Sequence, residues 1–325
     1  MKVLRLSNCS IPLENMAQGM FKDISEMETY YLFNEGDSGP DFDKYDAVWF
    51  YTSEEFSRMR FPKLYEKAEK YEGRKVNWEC VEGLCQDDMT SAWIDEGFPA
   101  PEFIDFPENH LAQYDEMPDG WDWPLMVKAC REYTLYAYAT IIYNNDDYAK
   151  WMKSNGHHRH MLQQYVPFEA PDGLYYCGQI HYIGGDIIVR SQRWSNHWYV
   201  SPTFRGEPHL GIKMGTLEGM PNADKITNFE EQVERIFQAV GVDIGNLDMS
   251  ISKDGQIIPW GICTNFAVYS EANKERKLGM NHPHGSEQMI QQTKIVNKIL
   301  DYFEIKERVS EKDLWRTSVA GNTVF

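Results

Sequence analysis

No stretch of this 325-residue chain approaches the ~20 consecutive apolar residues that span a bilayer. Met1 to Met16 (MKVLRLSNCSIPLENM) alternates apolar and polar side chains and builds no continuous apolar core of the kind a signal peptide needs. Both absences point to the cytoplasm and away from a membrane partner. Closely spaced cysteines are lacking too: Cys9, Cys80, Cys85, Cys130, Cys177 and Cys263 are scattered and never fall into the short pairs of a zinc site or redox motif. They are expected as reduced thiols, mostly packed. Basic charge is short, with 32 Lys and Arg against 50 Asp and Glu, and the net charge of −18 repels phosphate backbones and argues against a nucleic-acid partner. The chain shows no internal repeat, no low-complexity run and no local signature of a Ser-His-Asp or Cys-His nucleophile.

What is present is a globular composition, 42% hydrophobic, enough to bury one large core or two to three lobes. Lys2–Leu6 and Ala47–Tyr51 predict short strands, the second launched from a turn-rich segment, Glu35–Pro40, and with the helix-compatible stretches around them they suggest a small βαβ lobe. Lys75–Trp78 predicts a third strand, and Asp88–Glu96 a helix stopped by Gly97. Two prolines, Pro99 and Pro101, then deliver the chain into an extended segment. Asn109–Trp123, rich in Asp, Pro, Gly and Trp, predicts a surface loop. Beyond it come an apolar strand with one lysine (Pro124–Cys130), a strand over Tyr138–Tyr143, a helix over Asp146–Ser154 and a strand over Met161–Val166. A hairpin turned by Gly184-Gly185 joins Tyr175–Ile183 to Asp186–Arg190. Thr227 and Glu230 have capping-box spacing for a helix with the stripe Phe229, Val233, Ile236, Phe237 and Val240, ended by Gly241. Lys253-Asp254-Gly255 turns a second hairpin between Leu247–Ser252 and Gln256–Cys263, and Gln288–Phe303 predicts a last helix.

Some polar residues stand where chemistry would need them. Lys128 ends a buried strand as a point charge beside whatever anion enters. Arg190 and Arg193 follow the Gly-Gly turn and place two permanently charged guanidinium groups on one stretch of chain. Asp248 sits on the first strand of the hairpin turned at Asp254-Gly255. Two histidine clusters, His157-His158-Arg159-His160 and His282-Pro283-His284, have ligand types, but adjacent histidines on a polar turn are more often solvated.

The order of these features, from about Val76 to about Tyr269, resembles the ATP-grasp superfamily of ATP-dependent carboxylate-amine ligases. The resemblance implies an α/β protein in three parts: an N-terminal βαβ pre-domain with linker over 1–107, a small lobe over 108–167 and a C-terminal lobe over 168–325, the last two clasping a nucleotide cleft. It implies ATP and Mg²⁺ as cofactors. Lys128 would contact phosphates, the backbone of Gln163, Gln164, Tyr165 and Val166 would form the adenine hinge, Arg190 and Arg193 would stabilise the transferred phosphate, and Asp248 would hold the metal. A second ligand set, Glu-x-Asn, is expected on the returning strand, where Gly261 and Cys263 stand; alternatively a bulge brings Asn265 into the asparagine role with Cys263 in place of Glu. Either way the bridging carboxylate is missing. Two more departures are the glycine-free Arg131–Tyr136, where a phosphate-covering glycine loop is expected, and the loss near Gln86–Asp88 of a lysine. The implied activity is ligation of a carboxylate to an amine through an acyl phosphate, on a small-molecule or peptide substrate. The alternative is an inactive ATP-grasp fold serving as a binding, structural or assembly component, for which the aromatic content and the apolar Thr323-Val324-Phe325 would suit an interface; a homo-oligomer or larger assembly stays open.

Overall fold

The computed structural model describes residues 1–7, 21, 24–32, 36–51, 61–80, 86–106, 121–129, 140–155, 160–166, 168–170, 172–196, 214–217, 227–252, 254–264 and 285–310. Its first sheet is parallel, in the order β2-β1-β3-β4, from β1 (Val3–Ser7), β2 (Met27–Tyr31), β3 (Ala47–Tyr51) and β4 (Arg74–Val76). All five residues of β1 and of β3 are buried, as a parallel sheet covered on both faces requires. Leu4, Leu6, Val48 and Phe50 pack with Leu64, Tyr65 and Ala68 of α1 (Pro62–Lys70), which opens on a proline whose missing N–H costs nothing there. On the other face Val3, Trp49 and Tyr51 meet Ile295, Ile299 and Phe303, the first two from α5 (Gly285–Tyr302), whose cluster also takes in Ile183 and Ile188 from a distant hairpin. The C-terminal helix therefore covers the N-terminal sheet. Strand β2, with the polar sequence Met-Glu-Thr-Tyr-Tyr, is an element that periodicity did not predict.

The second sheet has the order β5-β8-β6-β7, from β5 (Phe103–Phe106), β6 (Leu125–Ala129), β7 (Thr140–Ile142) and β8 (His160–Gln164), with antiparallel pairings. Leu125, Val127, Ile142 and Leu162 pack on Tyr148 of α3 (Asn145–Asn155). His160, expected on a solvated turn, is instead buried in β8, with Nε2 2.9 Å from the Tyr148 hydroxyl and its ring beside Trp151. It starts a strand whose alternate residues face the helix, and burial is the result. The rest of that cluster, the second histidine cluster up to His284, most of the 109–123 loop, Arg131–Tyr136 and the terminal apolar tripeptide lie outside the described residues.

The third sheet has the order β11-β10-β9-β12-β13: β9 (Tyr175–Ile183), β10 (Asp186–Ser195), β11 (Met214–Leu217), β12 (Ile244–Ile251) and β13 (Ile257–Cys263), all antiparallel. Gly184 and Gly185, at φ 53° and 102°, make the first tight turn. Val233, Ile236 and Phe237 of α4 (Phe229–Ala239) and Trp93 of α2 (Gln86–Asp95) pack on Ile180, Leu247 and Ile262, and the Trp93 indole N–H donates to Ile236 O at 3.1 Å. The capping box at Thr227 is not the observed helix start. Asn228, left-handed at φ 56°, is the N-cap and its side chain makes no cap bond; Gln232 instead reaches back to Thr227 O. The helix ends as expected, Gly241 at φ 65° and Val242 N–H donating to Phe237 O at 3.0 Å.

Asn77 locks the first sheet to the third. It is left-handed at φ 60° and 4% exposed. Its Oδ1 accepts from the N–H groups of Asp243 and Ile244, both at 2.9 Å, its Nδ2 donates to Ile244 O at 2.9 Å, and its own N–H donates to Asp243 Oδ2 at 2.6 Å. Gly241 lies so near that a Cβ there would stand 2.0 Å from Glu79 O. This junction fixes where β12, and with it Asp248, begins.

Candidate functional site

Each strand of an antiparallel sheet presents alternate residues to one face. On the third sheet Ile180, Tyr182, Leu247, Met249 and Ile262 turn toward α4. The opposite face is consequently polar: the register sets Gln179, Asp248 and Gly261 side by side in one row, and His181, Asn246 and Cys263 in the next. Asp248 is half-buried, and its Oδ1 accepts from Gln179 Nε2 at 2.9 Å. Arg193 pairs with Cys177 across β10 and β9. Burial first, then the Asp248 carboxylate, pushes the Cys177 thiol up, while the Arg193 guanidinium opposes the shift. That thiol therefore senses both charges, and Asp248 and Arg193 flank one patch of the sheet. Arg190 stands where the β9–β10 register shifts, between Val189 and Ser191.

The register between β12 and β13 carries a bulge. Ser250 faces Ile258 and Met249 faces Pro259, so an unbroken ladder would bring Trp260 opposite Asp248; the bulge brings Gly261 there, and Cys263 opposite Asn246. Gly261, and not Cys263, therefore faces Asp248 across the hairpin. Asn265 lies outside the described residues.

On the second sheet Lys128 of β6 pairs with Met161 of β8, and Met126 with Gln163. Leu162 faces α3, so Met161 and Gln163 face away from it. Gln163 is 1% exposed and its Oε1 has no hydrogen-bond partner among the described residues. A buried carboxamide oxygen left so costs about 1–3 kcal/mol, a deficit a ligand N–H would remove. After Gln164, whose N–H donates to Glu102 O at 2.9 Å, Tyr165 and Val166 leave the ladder and lead to β9. Burial, then a hydrogen bond with Tyr175, raises the pKa of the Tyr165 phenol. Phe168 wedges edge-on between Tyr175 (centroids 5.2 Å apart) and Trp260 (5.3 Å), which ties the connection to the third sheet. Sequence reasoning missed Trp260, Phe168 and Asn77; a Pro-Trp-Gly string inside a strand was the one available signal of the bulge.

An adenine nucleotide fits these donors and acceptors. The Gln163 oxygen matches an exocyclic amine, and Arg193 supplies positive charge in a chain whose net charge is −18. A divalent cation finds one carboxylate, Asp248, and no group of three or more His, Cys, Asp or Glu that could hold a metal exists among the described residues. One carboxylate supplemented by phosphate oxygens and water is a coordination that Mg²⁺ accepts.

No protein-family model matches the chain, and no curated protein matches it. Solved structures do. The VanG D-Ala:D-Ser ligase from Enterococcus faecalis superposes with a TM-score of 0.59 at 10% identity, covering 93% of this chain and 99% of that one. The D-alanine–D-alanine ligase from Bacillus anthracis complexed with ATP does so at 0.53 and 12% identity, again over 93% and 99%. The ATP-grasp ligase PsnB, complexed with a phosphomimetic variant of minimal precursor, Mg and ADP, gives 0.51 at 10% identity over 93% and 99%. The chain has the ATP-grasp fold. Among the described residues no helix is long and apolar enough to cross a membrane.

Proposed function

We propose that the chain is an ATP-dependent ligase that joins a carboxylate to an amine. The observation that carries this reading is the Gln163 oxygen, buried and without a hydrogen-bond partner among the described residues, at the start of the connection leading to the sheet that holds Asp248 and Arg193. Gln163 would accept from the base amine, with the Tyr165 and Val166 backbone reading its edge. Lys128, Arg190 and Arg193 would balance phosphate charge, and Asp248, with Asn265 or water, would hold one Mg²⁺. When bound, Mg·ATP would supply the phosphoryl group that activates a substrate carboxylate as an acyl phosphate, with ADP leaving, and an amine that gives up a proton would then displace phosphate to form the amide. The protein's part is positioning and charge stabilisation. Residues 1–107 would serve the acceptor side, with 108–167 and 168–325 clasping the nucleotide. A small molecule or a peptide is the substrate class, as the ligase names and the precursor complex among the structural neighbours suggest.

The test is ADP release from Mg·ATP with a pool of amino acids and short peptides, with products followed by mass spectrometry. Substrate-dependent ADP release with a new amide supports the ligase. If ATP binds and neither ADP nor amide forms across the pool, the ligase reading fails, and the fold serves as a nucleotide-binding component.

A further inference from the structure

Trp260 stands in the bulge of β13 and has contacts in two directions. Toward β12, its indole N–H donates to Ser250 Oγ at 2.7 Å, and Ser250 Oγ donates to Tyr176 O at 2.8 Å. Ser250 lies two positions from Asp248 on the same face, so this bond restrains the stretch of strand that presents the carboxylate. Toward the connection between the second and third sheets, the same indole meets the edge of Phe168, which is packed on Tyr175, whose phenol interacts with that of Tyr165. A bulge interrupts the ladder and bends its strand beside Asp248.

We propose that Trp260 is a positioning residue that makes nucleobase binding at the 163–166 hinge and divalent-cation binding at Asp248 mutually reinforcing. The proposal rests on the nucleotide reading above. A base seated at the hinge fixes Tyr165 and, through Tyr175, Phe168. Phe168 then holds the indole in the arrangement that bonds Ser250, and Asp248 is held with it. By linkage the cation favours the same arrangement and tightens the hinge for the base by an equal factor.

Mn²⁺ and adenosine test this, because adenosine has no phosphate to touch the metal. Free Mn²⁺ is measured by electron paramagnetic resonance with and without saturating adenosine, and adenosine affinity by calorimetry with and without Mn²⁺. In the unaltered chain each ligand tightens the other about fivefold or more. Trp260→Phe keeps a ring against Phe168 but has no N–H for Ser250, and Ser250→Ala removes the acceptor without touching the aromatic contacts. Both are expected to bring the coupling factor to about one while adenosine alone still binds. The same coupling in both variants as in the unaltered chain, or none in the unaltered chain, overturns the proposal. Failure of adenosine to bind at all overturns the nucleotide reading and this inference with it; binding without coupling overturns this inference alone.

Discussion

Asn77→Ala should loosen the junction that fixes β12. Three hydrogen bonds from the Asn77 side chain end on the backbone of Asp243 and Ile244, and the residue is 4% exposed, so water does not replace them. At about 1 kcal/mol each they account for about 3 kcal/mol. The left-handed backbone, φ 60°, adds about 1 kcal/mol when alanine replaces asparagine there. The total of about 4 kcal/mol corresponds, for a chain of 325 residues, to a fall in Tm of roughly 6 °C. Asn77→Gly removes the hydrogen bonds but relieves the backbone, so its loss should be smaller than alanine's by that ~1 kcal/mol. Differential scanning calorimetry of the three proteins measures both differences. A fall below about 2 °C for alanine, or glycine no better than alanine, would refute the ledger of bonds and backbone on which the junction rests.

Gln163→Leu removes the buried acceptor without emptying its space. Thermal stability should hold or rise by up to about 1 kcal/mol, while adenosine affinity drops about tenfold in calorimetry; unchanged affinity would remove Gln163 from the base site. Gly261→Glu sets a second carboxylate opposite Asp248, and Mn²⁺ titration with ATP should change from one cation per chain to two. Burial raises the Asp243 pKa, against the Asn77 N–H and Arg74, which lower it. Its folded value lies above its unfolded one, so its contribution is fully present below the unfolded value and is lost as pH rises through the folded one. Asp243→Asn should therefore gain Tm relative to the unaltered chain as pH rises through that window, and a pH-independent difference would contradict the assignment.

Strongly patterned elements are legible in the sequence. Gly184-Gly185 and Asp254-Gly255 announced their hairpins, since positive φ is cheap there, and the apolar stripe from Phe229 to Val240 announced a helix. Strand β2 was not, because Glu28, Thr29 and Tyr30 give neither alternation nor an apolar run; pairing with β1 makes it a strand. The Thr227 capping signature misled, because the backbone turns left-handed at Asn228 first. For the site, the family's spacing marks Gly261 as the expected glutamate position, while the bulge that sets it opposite Asp248 holds Trp260 against Ser250, ten residues away, and against Phe168, far away in sequence. Asn77 was equally silent, since its partners lie 166 and 167 residues away.

Calorimetric titration of the full chain with Mg²⁺ and a non-hydrolysable ATP analogue tests the central claim most directly. The account predicts saturable binding of one nucleotide per chain, weakened about tenfold or more by Asp248→Ala, a loss of at least ~1.4 kcal/mol. No binding at millimolar nucleotide, or an affinity indifferent to Asp248, would contradict it.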